Sequence, residues 1–291
     1  MKTLFACLSI LFCHVTIADD ECNAPALNIL LTNDDGVMTA GIQEMHRALM
    51  DAGHNVRRIA PSRNFSGSGA SLTLRGITVE NLSSNEFPDV YAVSGSPATS
   101  VILGATAIYQ PDEPLNLIVS GINDGPNIGP AATVSGTVGA VLAGLNMLHP
   151  SVPGIAISTS PVNEDSQSLA YRQHFANVAR FVARIVGVIG CDDSSLLSSK
   201  QALHVNYPPL APDDIKGVRL AEQGHLVARR VAYGRNEEGK YDIRVLSKAA
   251  AASESADTTF FNNGFITIVP IDGEYTANPQ FDIEQVLLIN P

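Results

Sequence analysis

The strongest constraint on the fold is a regular alternation of strand-like and helix-like segments between residues 27 and 206. Leu27–Thr32 is an uninterrupted apolar run, which is typical of a parallel strand buried on both faces. Ile42, Met45 and Leu49 then recur at helical spacing. Strands that alternate with helices are joined by right-handed crossovers. The pattern therefore predicts an α/β fold, with a parallel sheet and helices on both faces.

The same pattern places the remaining elements. It predicts further strands at Asn55–Ala60, Leu72–Leu74, Gly76–Asn81, Val90–Val93, Leu115–Val119, Gly154–Ser158 and Ala202–Asn206. It predicts helices at Pro97–Tyr109 and Gly136–Met147, and a long helix that ends near Gly190. We expect residues 19–207 to form the core and residues 208–291 to complete the same domain. The elements predicted there are antiparallel strands at Val218–Ala221, Leu226–Tyr233, Tyr241–Val245 and Phe265–Pro270, a hairpin turn at Asn236–Lys240, a mobile loop at Ala249–Ala256 and a helix at Phe281–Leu288.

The first 18 residues have the pattern of a secretory signal peptide. Lys2 supplies a positive start, an almost uncharged apolar run follows to Ile17, and Ala18 precedes the acidic pair Asp19-Asp20. The run is too short for a comfortable membrane span. We expect export with removal of residues 1–18, a periplasmic or secreted location and no membrane association afterwards. A buried N-terminal helix is the alternative.

The net charge of the chain narrows the classes of partner that it can bind. The chain has 29 acidic and 18 basic residues, a net charge of -11, and no basic cluster. This argues against binding to nucleic-acid polymers or to anionic membranes.

Without the signal peptide, Cys22 and Cys191 are the remaining cysteines. In an oxidising compartment they are candidates for one disulfide, with two free thiols as the alternative.

Ligands of parallel sheets bind beyond the carboxyl ends of the strands, so the polar loops there form the candidate site. The first loop places Asp34 and Asp35 directly after the first strand. Two unit charges roughly 4 Å apart repel by about 4 kcal/mol at an effective dielectric of about 20. A hard divalent cation removes that cost and uses the oxygens as ligands. We interpret the pair as cation ligands; a plain Asn-Asp-Asp-Gly turn is the alternative.

Three further loops supply oxygen atoms and backbone N–H groups. Ser66–Ser71 offers hydroxyls for a metal or a phosphate, although a plain linker explains it equally well. Ser120–Gly129 carries Asn123 and Asn127, which offer a neutral oxygen ligand and an amide donor. Ser135-Gly136-Thr137 opens a helix, where N–H groups form an anion site, with helix capping alone as the alternative. Together the loops indicate a metal-assisted phosphoryl site.

Competing chemistries have little support in the sequence. It contains no G-x-S-x-G nucleophile elbow and no H-E-x-x-H zinc motif. Several histidines lie outside the candidate loops, and we predict a structural or exposed role for each of them: His46, His149, His174, His204 and His225.

These loops resemble the motifs of the SurE survival proteins, which are metal-dependent 5'/3'-nucleotidases with acid phosphatase activity. The matching stretches are Ile29–Gly36, Ala60–Ser66, Val119–Gly129 and Ser135–Val138, in the order and at the spacing of the family. Four ordered motifs are a specific signal, and the resemblance spans residues 28 to 272.

The resemblance implies a site and a fold. The residues that correspond to the ligands of one divalent ion per subunit, of the Mg²⁺ or Mn²⁺ class, are Asp34, Asp35, Ser66 and Asn123. The residues that match the phosphate pocket are Asn33, Asn127, Ser135, Gly136 and Thr137. Among all of these, we expect Asp34, Asp35 and Asn33 to act in catalysis. The implied fold is a Rossmann-like, three-layer αβα sheet with a C-terminal antiparallel β-hairpin that extends into a partner subunit, giving a homodimer or homotetramer.

Several positions depart from the family pattern. Between Gly129 and Ser-Gly-Thr the family usually has acidic residues and a Tyr, where this chain has Pro130, Ala131 and Val134. Phe65 replaces a common Arg before the loop serine. All four metal positions are kept, so we expect the chemistry to persist with an altered substrate preference.

The resulting hypothesis is an exported phosphomonoesterase that hydrolyses nucleoside 5'/3'-monophosphates and simple phosphate esters by in-line attack of a metal-activated water. A catalytically silent periplasmic protein that binds a metal–nucleotide is the first alternative, and a phosphatase assay with added Mn²⁺ separates the two. A nucleotide-sugar transferase is the second alternative, and it would need an acceptor cleft that the sequence does not show.

Overall fold

The computed structural model describes residues 25–160, 162, 165–166, 168–191, 196, 200–225, 229–247 and 253–274. The predicted signal peptide, Cys22 and the helix predicted at Phe281–Leu288 lie outside these residues. The strands are β1 Asn28–Thr32, β2 Asn55–Pro61, β3 Val79–Asn81, β4 Val90–Val93, β5 Leu117–Asp124, β6 Gly154–Thr159, β7 Ala202–Tyr207, β8 Val218–Leu220, β9 Arg229–Arg235, β10 Tyr241–Ser247 and β11 Ile266–Ile271. The helices are α1 Ala40–Asp51, α2 Pro97–Leu103, α3 Gly136–Met147, α4 Leu169–Gly190 and α5 Asp257–Asn262. A π-helical turn, Gly104–Ile108, continues α2.

Nine strands of the described residues form one sheet, in the order β3-β4-β2-β1-β5-β6-β7-β11-β8. The six strands from β4 to β7 are parallel. Numbered along the chain, these six have the spatial order 3-2-1-4-5-6, which is the order of the doubly wound Rossmann fold. The outer part is mixed, because β3 and β11 run antiparallel to β4 and β7. The predicted α/β fold with a parallel sheet is confirmed.

Helices cover both faces of the sheet, and each face has its own apolar core. On one face α1 and α4 pack against each other and bury Ile42, Met45 and Phe175. On the other face α2 and α3 pack together and bury Val101 and Val141. Removal of these apolar surfaces from water is the main force that holds the three layers together.

The site is positioned by the point where the strand order reverses. β1 lies between β2 and β5 in the sheet. The chain leaves β1 toward α1 on one face, whereas it leaves β5 toward α3 on the other face. The two connections therefore diverge, and they leave a crevice beyond the carboxyl ends of β1 and β5.

The C-terminal region contributes both to this sheet and to a separate hairpin. β9 and β10 pair antiparallel, as predicted, and form a two-stranded sheet of their own. β11 lies between β7 and β8, so the chain after residue 208 extends the main sheet. No helix among the described residues is long and apolar enough to cross a membrane.

Several details differ from the sequence predictions. Leu72–Leu74 forms no strand, because the backbone N–H of Thr73 donates to the Thr99 hydroxyl (2.7 Å) instead of to a neighbouring strand. β8 is parallel to β11, since the chain between them returns through α5, which was not predicted. The segment expected to be a loop from Ser120 onward stays in β5 as far as Asp124, because it pairs with β6. Of the loop predicted at 249–256, residues 249–252 lie outside the described residues, and Ala256 forms a bridge with Glu222.

Candidate active site

The turn after β1 is held by the side chain of Asn33. Its amide nitrogen donates to the Gly36 carbonyl oxygen and to the Thr39 hydroxyl (both 3.0 Å), and its amide oxygen accepts from the Gly36 N–H (3.2 Å). Gly36 has a φ of 121°, in the region that favours glycine. Asn33 is fully buried, so its place in this structure is to shape the turn that presents the two aspartates.

Asp34 lies against the first turn of α3. Its carboxylate accepts a 2.7 Å hydrogen bond from the Thr137 hydroxyl and contacts the backbone N–H groups of Gly136 and Thr137. A helix N-terminus favours a negative charge. Burial nevertheless raises the pKa of Asp34 above its usual value, although these hydrogen bonds oppose the rise. The N–H groups predicted to bind phosphate thus also fix a carboxylate.

Asp35 points toward the end of β5. Its Oδ2 accepts from the backbone N–H of Asp124 at 3.0 Å. Burial raises the pKa of Asp35 to about 7, and the nearby negative charges of Asp34 and Asp124 add to the rise. A cation placed between these oxygens would offset both the burial cost and the repulsion.

The end of β5 adds a carboxylate and an amide to the crevice. The Asn123 side-chain nitrogen donates to the Gly125 carbonyl oxygen, which leaves Oδ1 for a further partner. The Asp124 carboxylate accepts a 2.7 Å hydrogen bond from the Tyr171 hydroxyl, which α4 supplies. A cavity of about 140 Å³ beside Asp35 is lined in part by Asp124 and Tyr171.

The Ser66 loop is tied to the same crevice through its backbone. The Phe65 N–H donates to the Asp34 carbonyl oxygen (2.7 Å), and the Ser66 N–H donates to the Asn64 side chain (2.8 Å). Ser66 itself is exposed. The Ser68 hydroxyl is buried without a hydrogen-bond partner among the described residues. Ser66 therefore directly follows the residue, Phe65, whose backbone contacts Asp34.

Asn127 is held over the ends of β6 and β7. Its side-chain nitrogen donates to the Ser158 hydroxyl (2.8 Å), and its backbone N–H donates to the Asn206 amide oxygen (2.9 Å). Two residues later, the Gly129 N–H donates to the buried carboxylate of Asp257 (2.8 Å). The loop after β5 is thereby anchored at two nearby positions, Asn127 on β6 and β7 and Gly129 on α5.

The oxygen atoms of the crevice fit a hard divalent cation. The two carboxylates, the Asn123 amide oxygen and the Ser66 hydroxyl are all oxygen donors, which suit Mg²⁺ and Mn²⁺. Within the part of the chain that the structure describes, no group of three or more His, Cys, Asp or Glu side chains could hold a metal ion. An ion here would therefore depend on Asp34 and Asp35, completed by neutral oxygens and water.

The structure thus groups the predicted residues around the N-terminus of α3 and the carboxyl ends of β1 and β5, with Asn127 over the ends of β6 and β7. The hydroxyls of Ser135 and Thr137 are already engaged, since Ser135 caps α3 by accepting from the Val138 N–H (3.1 Å). The residues that sequence reasoning missed are Asp124, Tyr171, Ser158, Asn206 and Asp257. Of these, Asp124 stands inside a quoted motif, but the partners of the other four are distant in sequence and left no local signal.

Comparison with known proteins identifies the family of this chain. The family described as "Survival protein SurE" matches residues 29–230. The chain belongs to the SurE family. A relative named 5'-nucleotidase SurE, from Actinobacillus pleuropneumoniae serotype 5b (strain L20), is 31% identical over 257 residues, which cover 87% of this chain and 96% of the relative.

Other members agree in sequence and in structure. A relative named 5'/3'-nucleotidase SurE, from Serratia proteamaculans (strain 568), is 32% identical over 269 residues, which cover 90% of this chain and 96% of the relative. The crystal structure of the SurE protein from Aquifex aeolicus superimposes with a TM-score of 0.69 at 28% identity, covering 89% of this chain and 98% of that one. Both the predicted family and the predicted fold are confirmed.

Proposed function

We propose that the chain is a metal-dependent phosphomonoesterase that hydrolyses nucleoside 5'/3'-monophosphates and simple phosphate esters. The observation that carries this proposal is the pair formed by the buried Asp34 and the half-buried Asp35, held at the strand-order reversal and beside the N-terminus of α3. The names of the SurE relatives, 5'-nucleotidase and 5'/3'-nucleotidase, support the same reaction class.

The residues that would hold one Mg²⁺- or Mn²⁺-class ion are Asp34, Asp35, Ser66 and Asn123. When bound, such an ion supplies Lewis-acid polarisation of the phosphoryl oxygens and a more acidic water. Thr137 and the Asp124 N–H hold the two carboxylates in place for that role.

The substrate phosphate would bind near the N-terminus of α3. The residues that would contact its non-bridging oxygens are Asn127, Ser135, Gly136 and Thr137, while Asn33 keeps the β1 turn in shape. A water then attacks phosphorus in line, the P–O bond to the leaving oxygen breaks, that oxygen takes up a proton from solvent and leaves as the alcohol, and inorganic phosphate is released. Asp34 or Asp35 is the nearby carboxylate able to accept the proton of that water.

Conversion of each carboxylate to an amide tests the proposal. We expect Asp34→Asn and Asp35→Asn, separately, to lower Mn²⁺-supported hydrolysis of p-nitrophenyl phosphate and of nucleoside monophosphates by about a hundredfold or more, because the charge that holds the cation is lost. Asp51→Asn, at the exposed end of α1, is the matched control and should retain activity.

Circular dichroism would verify that each variant is folded. Near-native activity of either crevice variant would refute the assignment of that carboxylate. A native protein that binds Mn²⁺ and a nucleotide but releases no phosphate would instead support the catalytically silent binding protein.

Location and assembly are part of the proposal. We infer export to the periplasm or the exterior from the N-terminal pattern, and assembly as a homodimer or homotetramer from the resemblance to the family. The exposed aromatic residues of the hairpin, Tyr233 and Tyr241, are consistent with a surface that another subunit covers.

A further inference from the structure

A cavity of about 500 Å³ lies between α3 and the strands β7 and β11. Its wall is largely apolar and includes Val138 and Leu142 from α3, Ala221 after β8 and Val269 from β11. This volume is within the range of about 300–1,000 Å³ that is typical of pockets for small molecules. The proposed reaction leaves this cavity unused.

The cavity contains an unusual polar group, the ring of His204. The side chain is completely buried, lines the cavity, and has no hydrogen-bond partner at Nδ1 among the described residues. A buried polar atom without a partner is destabilising, so a partner is expected.

The hydrogen-bond network defines what that partner must be. The backbone N–H of Asn127 can only donate, so its contact with Asn206 identifies the Asn206 amide oxygen (2.9 Å). The Asn206 nitrogen must then donate to His204 Nε2 (3.1 Å). Burial lowers the pKa of His204 to about 4, so the ring is neutral at pH 7 and carries its one hydrogen on Nδ1. His204 therefore lacks an acceptor, such as a carbonyl oxygen or a ring nitrogen.

The polar side chains at the rim of the cavity are hydrogen-bond acceptors, in contrast to the donor at His204 Nδ1. Glu222, Asp272 and Glu274 line it. Ionised carboxylates accept hydrogen bonds and repel anions. Such a rim disfavours a phosphate group but suits hydroxyl and amino groups. A ligand that combines a flat apolar body with acceptors and donors, and that keeps its charge elsewhere, meets all of these conditions.

The cavity begins next to the proposed phosphate site. Ser135, the residue that caps α3, lines the cavity. The following residue, Gly136, lies so close to Asp34 that a Cβ added there would be 2.8 Å from the Asp34 Cβ. The Asn127–Asn206–His204 chain of hydrogen bonds connects the same two regions.

We infer that this cavity binds the nucleoside portion of the substrate, with His204 Nδ1 donating to an acceptor on the base. The inference rests on the proposed function for the position of the phosphate, which would lie at the N-terminus of α3. The charged end of the nucleotide would thus stay away from the carboxylate rim.

Direct binding tests the inference independently of catalysis. Adenosine, guanosine, cytidine and uridine would be titrated calorimetrically into the metal-free native protein, into Leu142→Trp, which fills the cavity, and into Met147→Trp. Met147 is an exposed α3 residue outside the cavity and serves as the matched control. We expect at least one nucleoside to bind the native protein and Met147→Trp equally, and to bind Leu142→Trp about tenfold more weakly or worse.

A second variant guards against misfolding of the first. His204→Phe keeps a ring but removes the Nδ1 donor, and it should also weaken the binding of that nucleoside. In kinetics, either variant should lower the ratio of kcat/KM for nucleoside monophosphates to kcat/KM for p-nitrophenyl phosphate by about tenfold, through KM.

The outcomes separate the inference from the proposed function. Absence of nucleoside binding by the native protein, or unchanged binding by folded Leu142→Trp and His204→Phe, would overturn the inference even if p-nitrophenyl phosphate is hydrolysed. Nucleoside binding that Leu142→Trp weakens would support it even if no phosphatase activity is found. If the inference is overturned in this way, we expect an ordered water to be the sole partner of His204 Nδ1.

Discussion

At the scale of residues, the crevice is organised by hydrogen bonds that orient its carboxylates. Asp34 is held by the Thr137 hydroxyl, and Asp35 is held by the Asp124 N–H. Asn33 holds the turn that carries both aspartates. The contacts of the two aspartates join residues that are 103 and 89 positions apart in the sequence. Both carboxylates therefore depend on the connection from β5 to α3, Asp35 on its start and Asp34 on its end.

The Thr137 hydroxyl offers a test of this orientation. We expect Thr137→Val to weaken Mn²⁺ affinity, measured by calorimetry, by about ten- to a hundredfold, because Asp34 loses the donor that fixes it. Thr137→Ser keeps the hydroxyl and should restore most of the affinity. Equal affinities of the native and Val proteins would show that the contact does not position the carboxylate.

A second residue gives the fold a dependence on pH. His46 is fully buried against Phe87, with ring centroids 5.1 Å apart. Burial lowers the pKa of His46 to about 4, and the Arg58 charge contributes. Between the unfolded pKa of about 6.5 and the folded value, the unfolded chain binds a proton that the folded chain excludes. The free energy of unfolding therefore falls as the pH decreases through this window.

Replacement of His46 isolates its share of that loss. From pH 6.5 to 4, the native protein should lose about 3 kcal/mol more of its free energy of unfolding than His46→Leu does, as measured by urea denaturation. Replacement of the exposed His225 by Leu should leave the native pH dependence in place. Parallel pH profiles for the native protein and His46→Leu would contradict the interpretation.

At the scale of elements, α3 and the Ser66 loop are packed backbone to backbone. A Cβ added at Gly139 would lie 2.2 Å from the Gly69 carbonyl oxygen. Together with the hydrogen bond from the Gly69 N–H to the Val134 carbonyl oxygen (3.0 Å), this close approach fixes the loop on the helix. The helix thereby positions both Asp34 and the segment that carries Ser66.

Two glycine-to-alanine variants test this packing. Gly139→Ala should lower the free energy of unfolding by about 1–3 kcal/mol, because the loop backbone must move. Its phosphatase activity should fall as well, since Ser66 moves with the loop. Gly187→Ala, in α4, meets no atom within 4 Å and should raise stability by about 0.5–1 kcal/mol through helix propensity. Equal effects of the two changes, measured by thermal and urea denaturation, would show that the close approach is not a constraint.

The elements also show how far sequence reasoning extends. The α3 prediction, Gly136–Met147, matches the structure at both ends, because a capping Ser and a run of small residues mark it locally. The Asp34 and Asp35 positions were predictable from the apolar strand that precedes them. α5, the parallel pairing of β8 and the contact of Tyr171 with Asp124 were not, because each depends on residues that only the folded chain brings together. The burial of His204 beside a cavity likewise had no periodic signal.

At the scale of the whole molecule, two predictions concern export: removal of the N-terminal segment, and a disulfide at the end of α4. Cys191 follows α4 and is disulfide-bonded, and Cys22 lies outside the described residues. We predict that residues 1–18 are removed during export and that Cys22 is the partner of Cys191. Neither cysteine belongs to the sequence segments that form the candidate loops, so the bridge should act on stability rather than on catalysis.

Mass spectrometry of exported protein, with and without a reductant, would examine both statements. We expect a mature chain that starts at Asp19 and a peptide pair linking Cys22 to Cys191 that separates on reduction. An intact Met1 would refute processing. Two alkylatable thiols in unreduced protein would refute the bridge.

The position of β11 has a consequence for the order in which the chain is made. β7 pairs with β6 on one side, and on the other side its partner is Ile266–Ile271, which is synthesised long after β7 itself. Until that late segment arrives, β7 is an open edge whose N–H and C=O groups are available to other chains. A ribosome-bound or prematurely ended chain therefore cannot seal its sheet, and such fragments should be prone to aggregation. Delayed closure of this kind is compatible with the predicted export, because a polypeptide that has not completed its sheet can still pass through a translocation channel.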